Sequence, residues 1–171
     1  MKKITIKQSQ SADTRTAQKE ISIEELHESS LQHIDDVARV MEEYAKKLQI
    51  QGRAHDYTKL GSIDLFHHDF ALAQKEGKPF TEMEWYKMHV TTERHHLNNH
   101  VPPDVNLFDV LERIADITSA AIARSGKFTF PAEIDADMLK KAYENTIKWT
   151  LNRLELQDKD EEYGHQNCCT F

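Results

Sequence analysis

Four positions in the chain, His33, His55, Asp56 and Asp116, carry the side-chain types that bind a divalent metal ion. Imidazole nitrogen and carboxylate oxygen together suit borderline ions such as Zn²⁺, Mn²⁺, Co²⁺ and Fe²⁺. A mixed shell of this kind leaves coordination positions open for water and for substrate oxygens. His55 and Asp56 are adjacent, and where a chain turns into a helix both can point at one ion. His33 lies next to Ile34 and one turn before Val37, and Asp116 lies next to Ile117. An imidazole or carboxylate buried among such neighbours is costly unless paired or coordinated, and one ion would satisfy all four groups.

Histidine is unusually frequent. There are ten in 171 residues, and nine fall between His27 and His100. His89 and His96 are seven apart, so a helix carrying both would show them on one face, with His95 beside them and His100 just beyond. These side chains are candidates for ligands of a second ion. The alternative is contact with a substrate phosphate, an imidazole then acting as general acid. His67 and His68 flank Phe66 and Phe70 and read as an exposed helix face, and His27 as a surface residue.

The elements that must position these groups are helical. A capping box, Ser22-x-x-Glu25, opens a first helix. Its apolar series Leu26, Leu31, Ile34, Val37, Val40, Met41, Tyr44 and Leu48 continues to Gly52. A second helix is expected from Gly61-Ser62 to about Glu76, before the break Gly77-Lys78-Pro79. A second capping box, Thr81-x-x-Glu84, predicts a third helix through Trp85 and His89 to His96. Asp104 is a plausible N-cap for a fourth helix over 105–124, which carries Asp116. A fifth is expected over 135–156. Ile4 and Ile6 alternate with polar residues and read as a short strand or arm, followed by a flexible stretch. The chain is thus read as an all-α single domain of five to six helices over 21–157. An N-terminal arm (1–20) precedes it and a flexible acidic tail (158–171) follows.

The ordered set His33, His55-Asp56, Asp116 resembles the H…HD…D signature of the HD superfamily of metal-dependent phosphohydrolases, an all-helical family. His55-Asp56-Tyr57-Thr58-Lys59 is similar to the stretch that follows the dyad there, and Leu111 to Asp116 to the helix that supplies the last aspartate. The resemblance spans residues 27–124. It is nearest to small bacterial and phage proteins in which a tryptophan–histidine segment, here Trp85 to His89, leads into a double histidine, here His95-His96.

What the resemblance implies is hydrolysis of a phosphoester or phosphoanhydride by a metal-activated water. His33, His55, Asp56 and Asp116 would be the ligands, with His89 and His96 as further candidates. One or two ions of Mn, Co, Zn, Fe, Mg or Ni would serve. Asp56, Lys59 and His96 would act in catalysis. Lys59, Arg94, Arg113 and His95 would hold the substrate, a small phosphorylated compound such as a nucleotide. Two alternatives stand beside this: a protein that binds and sequesters or senses a nucleotide on the same scaffold, and a di-iron oxygenase.

Composition narrows the classes. A net charge of −7 with scattered basic residues disfavours binding of a polymeric nucleic acid. No apolar run approaches the roughly 20 residues needed to span a bilayer, so a cytoplasmic protein without membrane partners is expected, in the host cytoplasm if phage-encoded. Self-association of such a helical chain is also an expectation. Cys168 and Cys169 are adjacent and cannot staple distant segments. The closing Cys-Cys-Thr-Phe matches a prenylation box only superficially, because Thr170 is not aliphatic.

Overall fold

A computed structural model describes residues 3–7, 20–128 and 134–157. The expected flexible stretch after the first strand and the tail with His165, Cys168 and Cys169 lie outside the described residues. The architecture is all-α with one short parallel pair of strands. The elements are β1 (Ile4–Lys7), α1 (Ile23–Ala54), α2 (Tyr57–Gly61), α3 (Ile63–Glu76), a 3₁₀ turn (Phe80–Glu82), α4 (Glu84–Thr92), α5 (Leu107–Ser125), α6 (Ala136–Leu151) and β2 (Leu154–Gln157). No helix among the described residues is long and apolar enough to cross a membrane.

By its contacts the chain divides into two compact units. The first takes residues up to Lys46 and from Trp149, and the second runs from Lys47 to Lys148. In the first unit β1 pairs in parallel with β2, Ile4 opposite Leu154 and Lys7 opposite Gln157. Arg39 donates from Nη1 to the carbonyl of Thr5 at 2.9 Å. The hydroxyls of Tyr44 and Thr150 lie 2.6 Å apart. The predicted helix over 135–156 therefore stops five residues early. Its last residues become an edge strand, because β1 offers backbone partners that a helix end lacks.

The second unit packs a core of Leu97, Val105, Val110, Met138 and Ala142, with Leu107 against it. A neighbouring aromatic cluster stacks Trp85 on Phe66 at 4.0 Å between ring centroids and on Phe80 at 5.9 Å. Buried Asp69 holds the start of α4 by accepting the backbone N–H of Trp85 at 2.8 Å. His67 and His68 are exposed on α3, as read from the sequence.

Several predicted boundaries move for identifiable reasons. The Ser22/Glu25 capping box forms, with Ser22 N–H donating to Glu25 (2.8 Å) and Glu25 N–H to Ser22 Oγ (3.1 Å). The Thr81/Glu84 box does not. Residues 80–82 form a 3₁₀ turn, and Met83 takes the N-cap position of α4 without a side-chain bond. α1 runs through Gly52 to Ala54. Helix α5 is capped by Asn106 rather than Asp104. The Asn106 side chain accepts from the backbone of Phe108 and Asp109, while Asp109 accepts from Asn106 N–H. Asp104 is drawn instead to Arg94, 3.0 Å away.

Candidate metal centre

Everything in this site belongs to the second unit. α1 ends at Ala54, and His55-Asp56 forms the turn into α2. Asp56 has left-handed backbone angles, φ 55° and ψ 30°, and is the one non-glycine residue with positive φ among those described. A short polar side chain tolerates this conformation better than most, and such strain gathers at functional sites. The turn brings both side chains inward, His55 and Asp56 each partly buried.

α4 ends at Thr92, so the single face predicted to carry His89 and His96 does not exist as a helix face. Glu93 explains the stop: its buried carboxylate accepts the backbone N–H of Thr58 at 2.9 Å and the Thr58 hydroxyl at 2.7 Å. The chain then turns, and the turn itself brings the rings together. His89 Nε2 and His96 Nε2 are 2.9 Å apart, and the rings of His95 and His96 lie 4.3 Å apart. From α5, Glu112 and Asp116 point at the same cluster one helical turn apart.

Two groups of metal-ligand atoms result, His55/Asp56/His95 and Asp56/His89/His96, each with its atoms within 4.8 Å of one another and sharing Asp56. In the first, Asp56 Oδ2 is 3.3 Å from His55 Nε2 and Asp56 Oδ1 is 3.4 Å from His95 Nε2. Asp116 borders the same space, 3.6 Å from His55 Nε2 and 3.9 Å from His95 Nε2. In the second, Asp56 Oδ1 is 3.5 Å from His89 Nε2. Asp56 Oδ1 and His95 Nε2 are buried with no hydrogen-bond partner, and His95 Nδ1 meets only the Glu112 carboxylate, 3.2 Å away and out of line for a hydrogen bond. Orphaned polar atoms of this kind carry a penalty that a cation lying between them would remove. Nitrogen and carboxylate oxygen donors in these proportions fit a borderline divalent ion.

The electrostatics follow from the same geometry. Burial works against the charge of Asp56, but Lys59 one turn on, with His55 and His89, holds its carboxyl below the usual range. Burial also opposes the charge of Glu112, yet contacts from His95, His55 and Gln51 bring it down to about 2. For His95 burial is outweighed by Glu112, Asp56 and Asp116, and its pKa rises. His89 is lowered by burial. His96 is pushed down to about 4 by burial and by the neighbouring His95 and His89, so near neutral pH it is a neutral ring and not a cationic acid.

The sequence-based candidates thus divide. His55, Asp56, Asp116, His89, His95 and His96 come together. His33 does not: it is exposed, in the first unit, and 21 residues before the end of the unbroken α1 at Ala54. At 1.5 Å of rise per residue that is about 30 Å of helix axis, far more than one ion's shell can span. His95, read as a substrate contact, occupies the place in the donor set that His33 was expected to fill. Lys59 lines a cavity of about 310 Å³ together with Asp56, His89, His96 and Asp116. Arg94 is spent elsewhere, its guanidinium donating from Nε and Nη2 to Asp109 at 2.9 and 2.8 Å. Arg113 lies on α5 and lines neither this cavity nor its neighbour of about 330 Å³. Glu112 and Arg124 were missed. Glu112 stands four residues before Asp116, a spacing that signals a shared face, but so do many surface pairs.

No curated protein and no solved structure matches the chain. A family model does, over residues 22–169, a span that takes in every residue of the cluster. The chain belongs to DUF5662, a family of unknown function.

Proposed function

We propose that this protein is a metal-dependent phosphohydrolase acting on a small phosphorylated compound, a nucleotide being the best fit. The observation that carries the reading is the convergence of His55, His95, Asp56 and Asp116 around buried atoms that lack partners. Those four would hold one divalent ion, and Asp56 with His89 and His96 offers a second place. An ion held there supplies positive charge to phosphoryl oxygens and lowers the pKa of a water toward neutrality.

The chain's own groups supply the rest. Asp56, facing both groups of histidines, accepts a hydrogen bond from the attacking water and orients it. Lys59, in the lining of the cavity, presents a point charge to a phosphate oxygen, and Arg124 in the same lining presents a second. His96, neutral near pH 7, has a single ring lone pair, which serves either the second ion or a proton and not both. The same cavity is walled by Phe66, Phe80, Trp85 and Tyr86, a surface suited to a flat heterocyclic base. Two donor groups sharing Asp56 are also what a di-iron oxygenase would need. Iron retained after aerobic purification would favour that reading, and a nucleotide recovered intact after long incubation with Mn²⁺ would favour a sequestering protein.

The test is phosphate release from a panel of nucleotides with Mn²⁺, Co²⁺, Zn²⁺ or Mg²⁺, run beside Asp56→Ala and Asp116→Ala. Metal-dependent release abolished in both variants is expected. Equal release from all three proteins would refute the assignment.

A further inference from the structure

A single carboxylate stands behind both histidines of the first donor group. Glu112 Oε1 is 2.9 Å from His55 Nδ1 and 3.2 Å from His95 Nδ1, and the amide of Gln51 donates to Oε2 at 2.5 Å. The Glu112 side chain is 9% exposed and that of His95 1%, so water is kept from their contact, while His55 is 27% exposed. The two rings lie 4.4 Å apart at their centroids, tilted by 41°. One turn along α5, Asp116 faces the opposite edge of the same two rings, within 3.6 and 3.9 Å of their Nε2 atoms. The pair Glu112 and Asp116 thus brackets both imidazoles, one carboxylate on each side.

A carboxylate only accepts, so an imidazole nitrogen held against it carries the proton. A neutral imidazole has one N–H, which leaves the other nitrogen with its lone pair free. In both rings that other nitrogen is Nε2, which faces Asp56 and Asp116 at 3.3–3.9 Å without a hydrogen bond, farther than Nδ1 lies from Glu112. A ligating histidine whose far nitrogen donates to a carboxylate is fixed in orientation and made more basic toward the ion. Here one carboxylate does this for His55 through a hydrogen bond and for His95 through its charge alone, and Gln51 holds the carboxylate in place.

We propose that Glu112 is the positioning residue of the metal centre. It sets His55 and His95 together in the Nδ1–H tautomer, so that both Nε2 lone pairs converge between Asp56 and Asp116. The inference rests on the metal reading given above, but it concerns a residue that touches neither the ion nor the substrate.

Two measurements test it. In the metal-free full-length protein at pH 8.5, ¹⁵N chemical shifts of the histidine rings report the tautomer directly. Both His55 and His95 should show a protonated Nδ1 and a bare Nε2, and an Nε2–H tautomer in either ring overturns the proposal. Calorimetric titration with Mn²⁺ and with Zn²⁺ then compares the wild type, Glu112→Gln and Glu112→Asp. Glu112→Gln keeps the shape but removes the charge and should lose about 10- to 100-fold in metal affinity. Its melting temperature without metal should fall, since a buried charge loses its partners, so the affinities are compared at a temperature where circular dichroism shows each variant folded. Glu112→Asp retains an acceptor and should recover part of the loss. Wild-type affinity in Glu112→Gln overturns the role of Glu112 while leaving the metal centre standing. A wild type that binds neither ion overturns the metal reading, and this proposal with it.

Discussion

Arg94→Met separates a structural role from a substrate-binding one. The Asp109 side chain is 1% exposed, and its carboxylate accepts Arg94 Nε and Nη2 at 2.9 and 2.8 Å, Asn106 N–H at 3.0 Å and Gln51 Nε2 at 3.3 Å. Methionine would keep the apolar stem of Arg94 but remove both strong donors. A buried carboxylate would then remain with two acceptor contacts, one of them long. Removing one partner of a fully buried ion pair costs about 3–5 kcal/mol. The Arg94 side chain is 39% exposed, so water can reach the vacated place, and the low end applies, about 3 kcal/mol. For a chain of this size that is a fall of roughly 6–12 °C in melting temperature. The assay is urea denaturation followed by circular dichroism, with metal affinity measured on the folded variant. The midpoint should fall with an unchanged slope while Mn²⁺ affinity stays at the wild-type level. A stability loss under about 1 kcal/mol would refute the pairing argument. Intact stability with lost affinity for inorganic phosphate would return Arg94 to the substrate.

Two further outcomes follow from the same geometry. His96, at about 4 against 6.5 for an unperturbed histidine, is less protonated in the native state than in the unfolded chain across that window. Its contribution is therefore lost as pH falls from 6.5 toward 4, by at most about 3 kcal/mol, in protein kept metal-free with a chelator. The stability difference between wild type and His96→Asn, followed by denaturation at pH 7.5 and 4.5, should change accordingly, and a constant difference would refute the assignment. Asn106→Ala removes the side-chain half of the α5 cap and should cost about 1 kcal/mol, read from the urea midpoint; no change there would mean that water replaces the cap without loss.

Much of this protein is readable from its residues. Helical periodicity and the Ser22/Glu25 box announce α1 because those signals are local: a hydrogen bond across three residues and an apolar face repeating every turn. The adjacency of His55 and Asp56 and the apolar setting of Asp116 identify three members of the cluster for the same reason. The His95-His96 doublet marks where the others lie. What the sequence leaves open is which side chains share a space. His33 fits the expected spacing but is removed by the length of an unbroken helix, a property of its whole run. His95 enters because α4 stops at Thr92, and it stops there while Glu93 binds Thr58, a partner 35 residues away in the chain. Glu112 gains its place only where two rings from different segments meet one carboxylate. The sequence by itself determined a helical chain with ligating residue types concentrated in its middle. The tertiary structure decided the donor set, because convergence on a point depends on where helices end and what their ends are bound to.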